Sequence, residues 1–114
     1  MADCLFCKIV AGEIPATIVL DNDDVVAFRD LNPVAPMHVL VIPKRHIVAA
    51  DHLSAQDGDV LAAMFLAAKA VAAADGFDES GYRTVFNVGA DSGQSVPHLH
   101  LHVLGGRQMA WPPG

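Results

Sequence analysis

Six consecutive residues, His98-Leu99-His100-Leu101-His102-Val103, alternate imidazole with aliphatic side chains without a break. Along a β-strand successive side chains point to opposite faces, so this order sends Leu99, Leu101 and Val103 one way and all three histidines the other. The aliphatic face needs a core to cover it. A chain of 114 residues can build one such core but not two, which predicts a single domain over residues 1–114. The imidazole face has no packing reason to exist, so function is sought there.

The rest of the chain supplies the cover. Over 54–75 the apolar positions Leu61, Met64, Phe65, Ala68 and Val71 recur at helical spacing, with Ser54 as N-cap and Gly76 at the stop. Residues 6–11 suit one short helical turn, which Gly12-Glu13-Ile14-Pro15 breaks. Strands are expected at 17–20 and 25–28 around a turn at 21–24, at 38–42 between Pro36 and Pro43, at 82–88 and at 98–104. Consecutive strands on short turns, with one striped helix, imply an antiparallel sheet with helical cover, an α+β fold.

Charge and hydropathy narrow the partners. A formal net charge of −6 argues against a broad phosphate-neutralising surface, so no nucleic acid is expected. A small nucleotide remains compatible, because backbone N–H groups and a few side chains can hold it. There is no apolar run of the ~18 residues that a membrane span requires, and no membrane partner is expected. Met1-Ala2-Asp3-Cys4 has neither the basic start nor the apolar stretch of a secretion signal, so a cytoplasmic, reducing location is expected.

Two chemistries fit three clustered imidazoles. A neutral imidazole can attack phosphorus and leave again, splitting one hard substitution into two easier ones. Alternatively the imidazoles hold Zn²⁺ and activate a water, which would make the chain a zinc-dependent hydrolase. The preceding segment, Asn87 to Ser95, is a strand end running into a polar loop, whose backbone N–H groups around Gly93 and whose Gln94 and Ser95 side chains can approach an oxyanion. That favours the nucleophile. Separately, Cys4-Leu5-Phe6-Cys7 is half a metal site. A redox pair would want a thioredoxin-like βαβ context, and with only two cysteines a zinc site has to be completed by histidines. Two unrelated free thiols are the other reading.

The pattern Gly93-Gln94-Ser95-Val96-Pro97-His98-Leu99-His100-Leu101-His102-Val103 resembles the signature of the histidine-triad family. The tail from Leu104 to Gly114 is similar to that of the Hint branch, the purine nucleoside phosphoramidases. Gly12-Glu13-Ile14-Pro15-Ala16, Ala27-Phe28-Arg29-Asp30-Leu31 and the stretch from His38 to Ile47 extend the likeness. It implies a five-stranded antiparallel sheet with one long and one short helix, paired as a homodimer through the long helix and a strand. It also implies hydrolysis of purine nucleoside 5′-phosphoramidates, such as adenosine 5′-monophosphoramidate or AMP-lysine types, through a nucleotidyl-histidine.

By that resemblance His100 is the nucleophile, Ser95 lies near the leaving group, and His38, His98 and His102 share the site with Asn87 and Gln94. Asp30 bonds the ribose hydroxyls; Leu5, Phe6, Ile9, Phe28, Leu31 and Leu40 form the slot for the base. Relatives that carry the C-x-x-C complete a structural zinc site with the positions of His46 and His98, which here gives Cys4, Cys7, His46 and His98. Catalysis then needs no metal. Arg29 stands where eukaryotic Hint members carry His, and Ala110 replaces a tail His. The competing reading is a nucleotide-binding regulatory module with little catalysis.

Overall fold

The computed structural model describes residues 3–114. In chain order the elements are helix α1 (Leu5–Val10), strands β1 (Ile18–Asp21), β2 (Val25–Arg29) and β3 (Met37–Pro43), two 3₁₀ turns (Ala50–His52 and Ala55–Asp57), helix α2 (Gly58–Ala74), and strands β4 (Tyr82–Phe86) and β5 (Leu101–Gly105). The strands form one antiparallel sheet in the order β1-β2-β3-β5-β4. The architecture is the expected α+β sheet of five strands with one long and one short helix.

Both faces of the sheet are covered, and this explains why all seven residues of the central strand β3 are buried. On one face Val25, Ala27, Met37, Val39, Val41, Leu101 and Val103 pack under Met64, Ala67, Ala68, Val71 and Ala72 of α2. Most of the buried α2 side chains are alanine, so the helix backbone lies close to the sheet. On the other face Val26, Phe28, Leu40 and Ile42 pack against Cys4 and Phe6 at the start of the chain. The short α1 is therefore the lid of the second face.

Helix boundaries follow local chemistry. The expected helix over 54–75 divides: the Ser54 N–H donates to the Asp57 carboxylate at 2.8 Å, stabilising a 3₁₀ turn before α2 begins at Gly58. At the far end Gly76 has φ +84°, and the Phe77 N–H reaches back to the Ala72 carbonyl at 2.8 Å. This is the glycine-terminated cap, and it delivers Phe77 to the core. Phe65 departs from the expected stripe and remains 44% exposed, next to Leu66 at 64%.

The histidine strand also begins later than expected. Residues 96–98 bend, Pro97 has no N–H to give to a ladder, and the Leu99 N–H donates to the Ile47 carbonyl instead. The ladder starts only at Leu101, while the facing of the side chains survives: Leu99, Leu101 and Val103 are in the core under α2. Strand β4 likewise ends at Phe86 rather than at 88. Among the described residues no helix is long and apolar enough to cross a membrane.

Candidate active site

A cavity of about 300 Å³ opens on the face covered by α1. Its apolar wall is made by Leu5, Phe6 and Ile9 of α1, Phe28 and Leu40 of the sheet, and Leu31; Asp30, Ser95, His100 and His102 supply polar groups. The register of β3 against β5 sets Leu40 opposite His102, and that of β2 against β3 sets Phe28 opposite Leu40. Imidazoles and apolar wall therefore share one face because the pairing puts them there. Phe6 meets the His100 ring edge-on, with centroids 5.2 Å apart, and meets Phe28 the same way at 5.5 Å.

Hydrogen bonds fix which nitrogen of each imidazole carries the proton. His100 Nδ1 lies 2.7 Å from the His98 carbonyl. A carbonyl only accepts, so Nδ1–H donates and Nε2 keeps its lone pair. The Val34 N–H donates to His38 Nδ1 at 3.2 Å, which leaves the proton of neutral His38 on Nε2. His38 Nε2–H then donates to His102 Nδ1 at 2.9 Å, so neutral His102 carries its own proton on Nε2. The site thus presents one imidazole lone pair, on His100, and one imidazole donor, on His102.

Two of these imidazoles, His102 and His38, are held neutral. Burial, then the neighbouring His100 and His38, push the His102 pKa down to about 4, against the pull of Asp30. Burial also lowers that of His38, again opposed by Asp30, whose carboxylate lies 3.4 Å from His38 Nε2. The other Asp30 oxygen accepts from the Asn32 N–H at 2.8 Å, capping the turn that leaves β2. Next to it, Arg29 is committed to the Asp75 carboxylate, with Nη2 to Oδ1 at 2.9 Å, tying the end of β2 to the end of α2. From the tail, Arg107 Nε–H donates to the Val34 carbonyl at 2.9 Å and steadies the residue that sets the His38 tautomer.

A second cluster lies behind α1. His98 is fully buried, and its Nε2–H donates to the Pro43 carbonyl at 2.9 Å, so Nδ1 is the unprotonated nitrogen. That lone pair faces Cys4 Sγ at 3.3 Å and Cys7 Sγ at 3.6 Å, while His46 Nδ1 lies 3.2 Å from Cys7 Sγ. The four donor atoms all fall within 4.8 Å of one another. For a tetrahedral zinc ion, with bonds of about 2.3 Å to sulfur and 2.0–2.1 Å to nitrogen, the S···N edges would be about 3.6 Å. The donor types, the His98 tautomer and the spacings fit such an ion. Burial and the adjacent Cys4 thiol push the Cys7 thiol pKa up, a penalty on the thiolate that a cation would remove.

Most of the residues singled out in the sequence come together here, and some do not. Leu5, Phe6, Ile9, Phe28, Leu31, Leu40, Asp30, Ser95, His100 and His102 line the cavity, and His38 stands behind His102. His98 turns its ring to the two sulfurs, and its carbonyl is what meets the His100 ring nitrogen. Gln94 is committed to backbone groups: Nε2 donates to the Val48 and Val96 carbonyls at 2.9 and 3.1 Å, and Oε1 accepts from the Gly89 N–H at 3.0 Å. Asn87 and Gly93 also lie outside the lining. Ile14, Pro15, Ala16 and Val96 are wall residues that sequence reasoning missed.

The site is a fixed imidazole lone pair beside an apolar cleft, carried on an antiparallel sheet. The HIT domain family matches residues 11–109, and the chain belongs to that family. It is 46% identical, over 98% of its length and all of the relative's, to the 14 kDa zinc-binding protein of Brassica juncea. The crystal structure of a HIT family hydrolase from Legionella pneumophila superposes with a TM-score of 0.96 at 54% identity, covering 98% of this chain and 100% of that one. A histidine triad nucleotide-binding protein from Candida albicans matches at a TM-score of 0.83 and 30% identity, over 96% of this chain and 83% of that one.

Proposed function

We propose that the protein hydrolyses purine nucleoside 5′-phosphoramidates to the nucleoside monophosphate and an amine, through a nucleotidyl intermediate on His100. The observation that carries this reading is the 2.7 Å bond from His100 Nδ1–H to the His98 carbonyl, which leaves the Nε2 lone pair facing the cavity side as the nucleophile. The base would enter between Phe6, Phe28 and Leu40, and Asp30 would accept from the ribose hydroxyls. A hydrolase and a nucleotide-binding protein among the relatives support both halves.

In the first step His100 Nε2 attacks phosphorus, the P–N bond breaks, and the amine departs with the proton of its own ammonium form or one passed by Ser95. With a pKa near 4, His102 is neutral and serves as a hydrogen-bond donor to a phosphoryl oxygen rather than as a charged acid. Water then attacks phosphorus and releases His100 with its Nδ1–H bond intact. On the triad face Asp30, His38 and His102 also bring donor atoms within 4.8 Å of one another, but a metal there finds less support, because His98 points to the sulfurs and the His38 and His102 nitrogens that approach each other are already joined by a hydrogen bond.

Under this reading zinc is structural, held by Cys4, Cys7, His46 and His98, as the zinc-binding name of the Brassica relative suggests. A reducing compartment such as the cytoplasm suits the two free thiols. Two copies pair through the exposed side of α2 and the edge strand β4. The decisive experiment is a rapid quench with adenosine 5′-phosphoramidate followed by intact-mass and peptide analysis. An adenylyl adduct on the peptide containing His100 is expected; steady turnover without any adduct at early times would remove the covalent mechanism.

A further inference from the structure

Helix α1 does two things at once. Its N-cap Cys4 and its residue Cys7 belong to the sulfur–imidazole cluster, while Leu5, Phe6 and Ile9 of the same six-residue element wall the nucleotide cavity. A helix that short has no stability of its own, since isolated helices below ~12 residues are marginal in water. It is held by what it touches. Phe6, 4% exposed, anchors it to Phe28 and His100 and meets the His98 ring edge-on at 5.9 Å; the Cys4 and Cys7 sulfurs add the contacts to His98 and His46.

We infer that metal binding at Cys4, Cys7, His46 and His98 is energetically coupled to nucleotide binding in the apolar cavity, through the placement of α1. The inference rests on the proposed readings of the two sites and adds the link between them. An ion gripping both ends of the first helical turn fixes α1 against the segment that follows β3 and the bend before β5. With α1 fixed, three apolar walls and the Phe6 contact to the nucleophile stand ready before the nucleotide arrives, and their ordering no longer has to be drawn from its binding energy. The reverse follows by linkage: a bound purine packed on Leu5, Phe6 and Ile9 holds α1, and hence both sulfurs, in place for the ion. The two affinities must then change by the same factor.

That equality is the test. Titration calorimetry with adenosine 5′-monophosphate on the zinc-loaded and chelator-treated full chain gives one factor. Competition for zinc against a chromogenic chelator, with and without saturating nucleotide, gives the other. Each is expected to be about fivefold or more, and equal. A chain that binds zinc and nucleotide with no mutual effect overturns the coupling and leaves both site readings standing. A chain that takes up no zinc, or no nucleotide, overturns it together with the corresponding site reading. Should chelation unfold the chain, the zinc competition is repeated on Phe6→Leu, which keeps all four metal donors and loosens α1 from the cavity. Its nucleotide-induced tightening of zinc is expected to fall towards one; an undiminished factor would show that α1 is not the route.

Discussion

The carbonyl oxygen of His98 accepts the Nδ1 proton of His100 at 2.7 Å, so the main chain at one histidine determines the reactive nitrogen of the next but one. His100→Asn removes the lone pair while leaving a polar side chain of similar reach. Turnover should be lost by several orders of magnitude, with far-UV circular dichroism and adenosine monophosphate affinity near those of the parent. Measurable steady-state hydrolysis by this variant would rule out His100 as the nucleophile.

Asp30 caps the turn after β2 and, on the proposed reading, also accepts from the ribose hydroxyls. Asp30→Ala removes both, and nucleotide affinity should weaken by about 1.5–3 kcal/mol, the usual worth of hydrogen bonds to a charged group. Asp30→Asn keeps an oxygen for the Asn32 N–H and so preserves the turn, yet loses the charge and one acceptor. If affinity falls in the alanine variant and is fully restored in the asparagine variant, Asp30 is a turn residue and the ribose contact is wrong.

The buried imidazoles make the fold sensitive to acid. The folded-state pKa of His102 lies near 4, below the ordinary ~6.5 that applies when the chain is unfolded, and that of His38 is displaced the same way. Between these values the unfolded chain binds more protons than the folded one. Stability should therefore be complete above about pH 6.5 and drain away as pH falls towards 4. Melting temperature followed over that window should fall less steeply in His102→Asn than in the parent; identical slopes would contradict the assignment.

Zinc should copurify at about one ion per chain in Cys₂His₂ coordination, measured by elemental analysis and by X-ray absorption. At free zinc 1,000-fold above its dissociation constant, the ion contributes about 4 kcal/mol to folding. Chelation, or Cys4→Ser with Cys7→Ser, should lower the melting temperature accordingly while substantial turnover survives at saturating substrate. Metal-free protein of undiminished stability would sink the structural role.

Leu66 at 64% exposure and Phe65 at 44% lie on the outer side of α2, and Phe65 meets Phe86 at the end of edge strand β4. An apolar helix flank beside an unpaired strand edge is costly to leave in water. Sedimentation at micromolar concentration should show a dimer, and Leu66→Glu should shift it towards monomer. A parent chain that sediments only as a monomer would exclude this pairing.

How much of this could be read in advance depends on the kind of signal. The alternation from His98 to Val103 gave the facing of every side chain correctly, because facing follows from backbone geometry alone. It could not say what each imidazole would meet. That depends on the topology that brings Cys4 to His98, 94 positions away, and leaves His100 with Phe6. Gln94 resembled an oxyanion donor, yet its amide ties its loop to the Val48 carbonyl on the segment after β3, a partner 46 positions away that local sequence does not announce. Ile14, Pro15 and Ala16 form a wall only because of the route taken from α1 to β1, and a loop carries no periodicity to announce this. The bend over 96–98 was signalled by Pro97, although the histidine pattern that begins immediately after it obscured the signal.

His98 divides its labour between atoms that heredity treats differently. Its imidazole is spelled by a codon; its carbonyl comes with every amino acid. A mutation at this position removes the imidazole beside the two sulfurs while sparing the carbonyl that orients His100, provided the chain keeps its course. On the proposed reading, a lineage can therefore abandon the ion without passing through an ancestor that has lost its nucleophile.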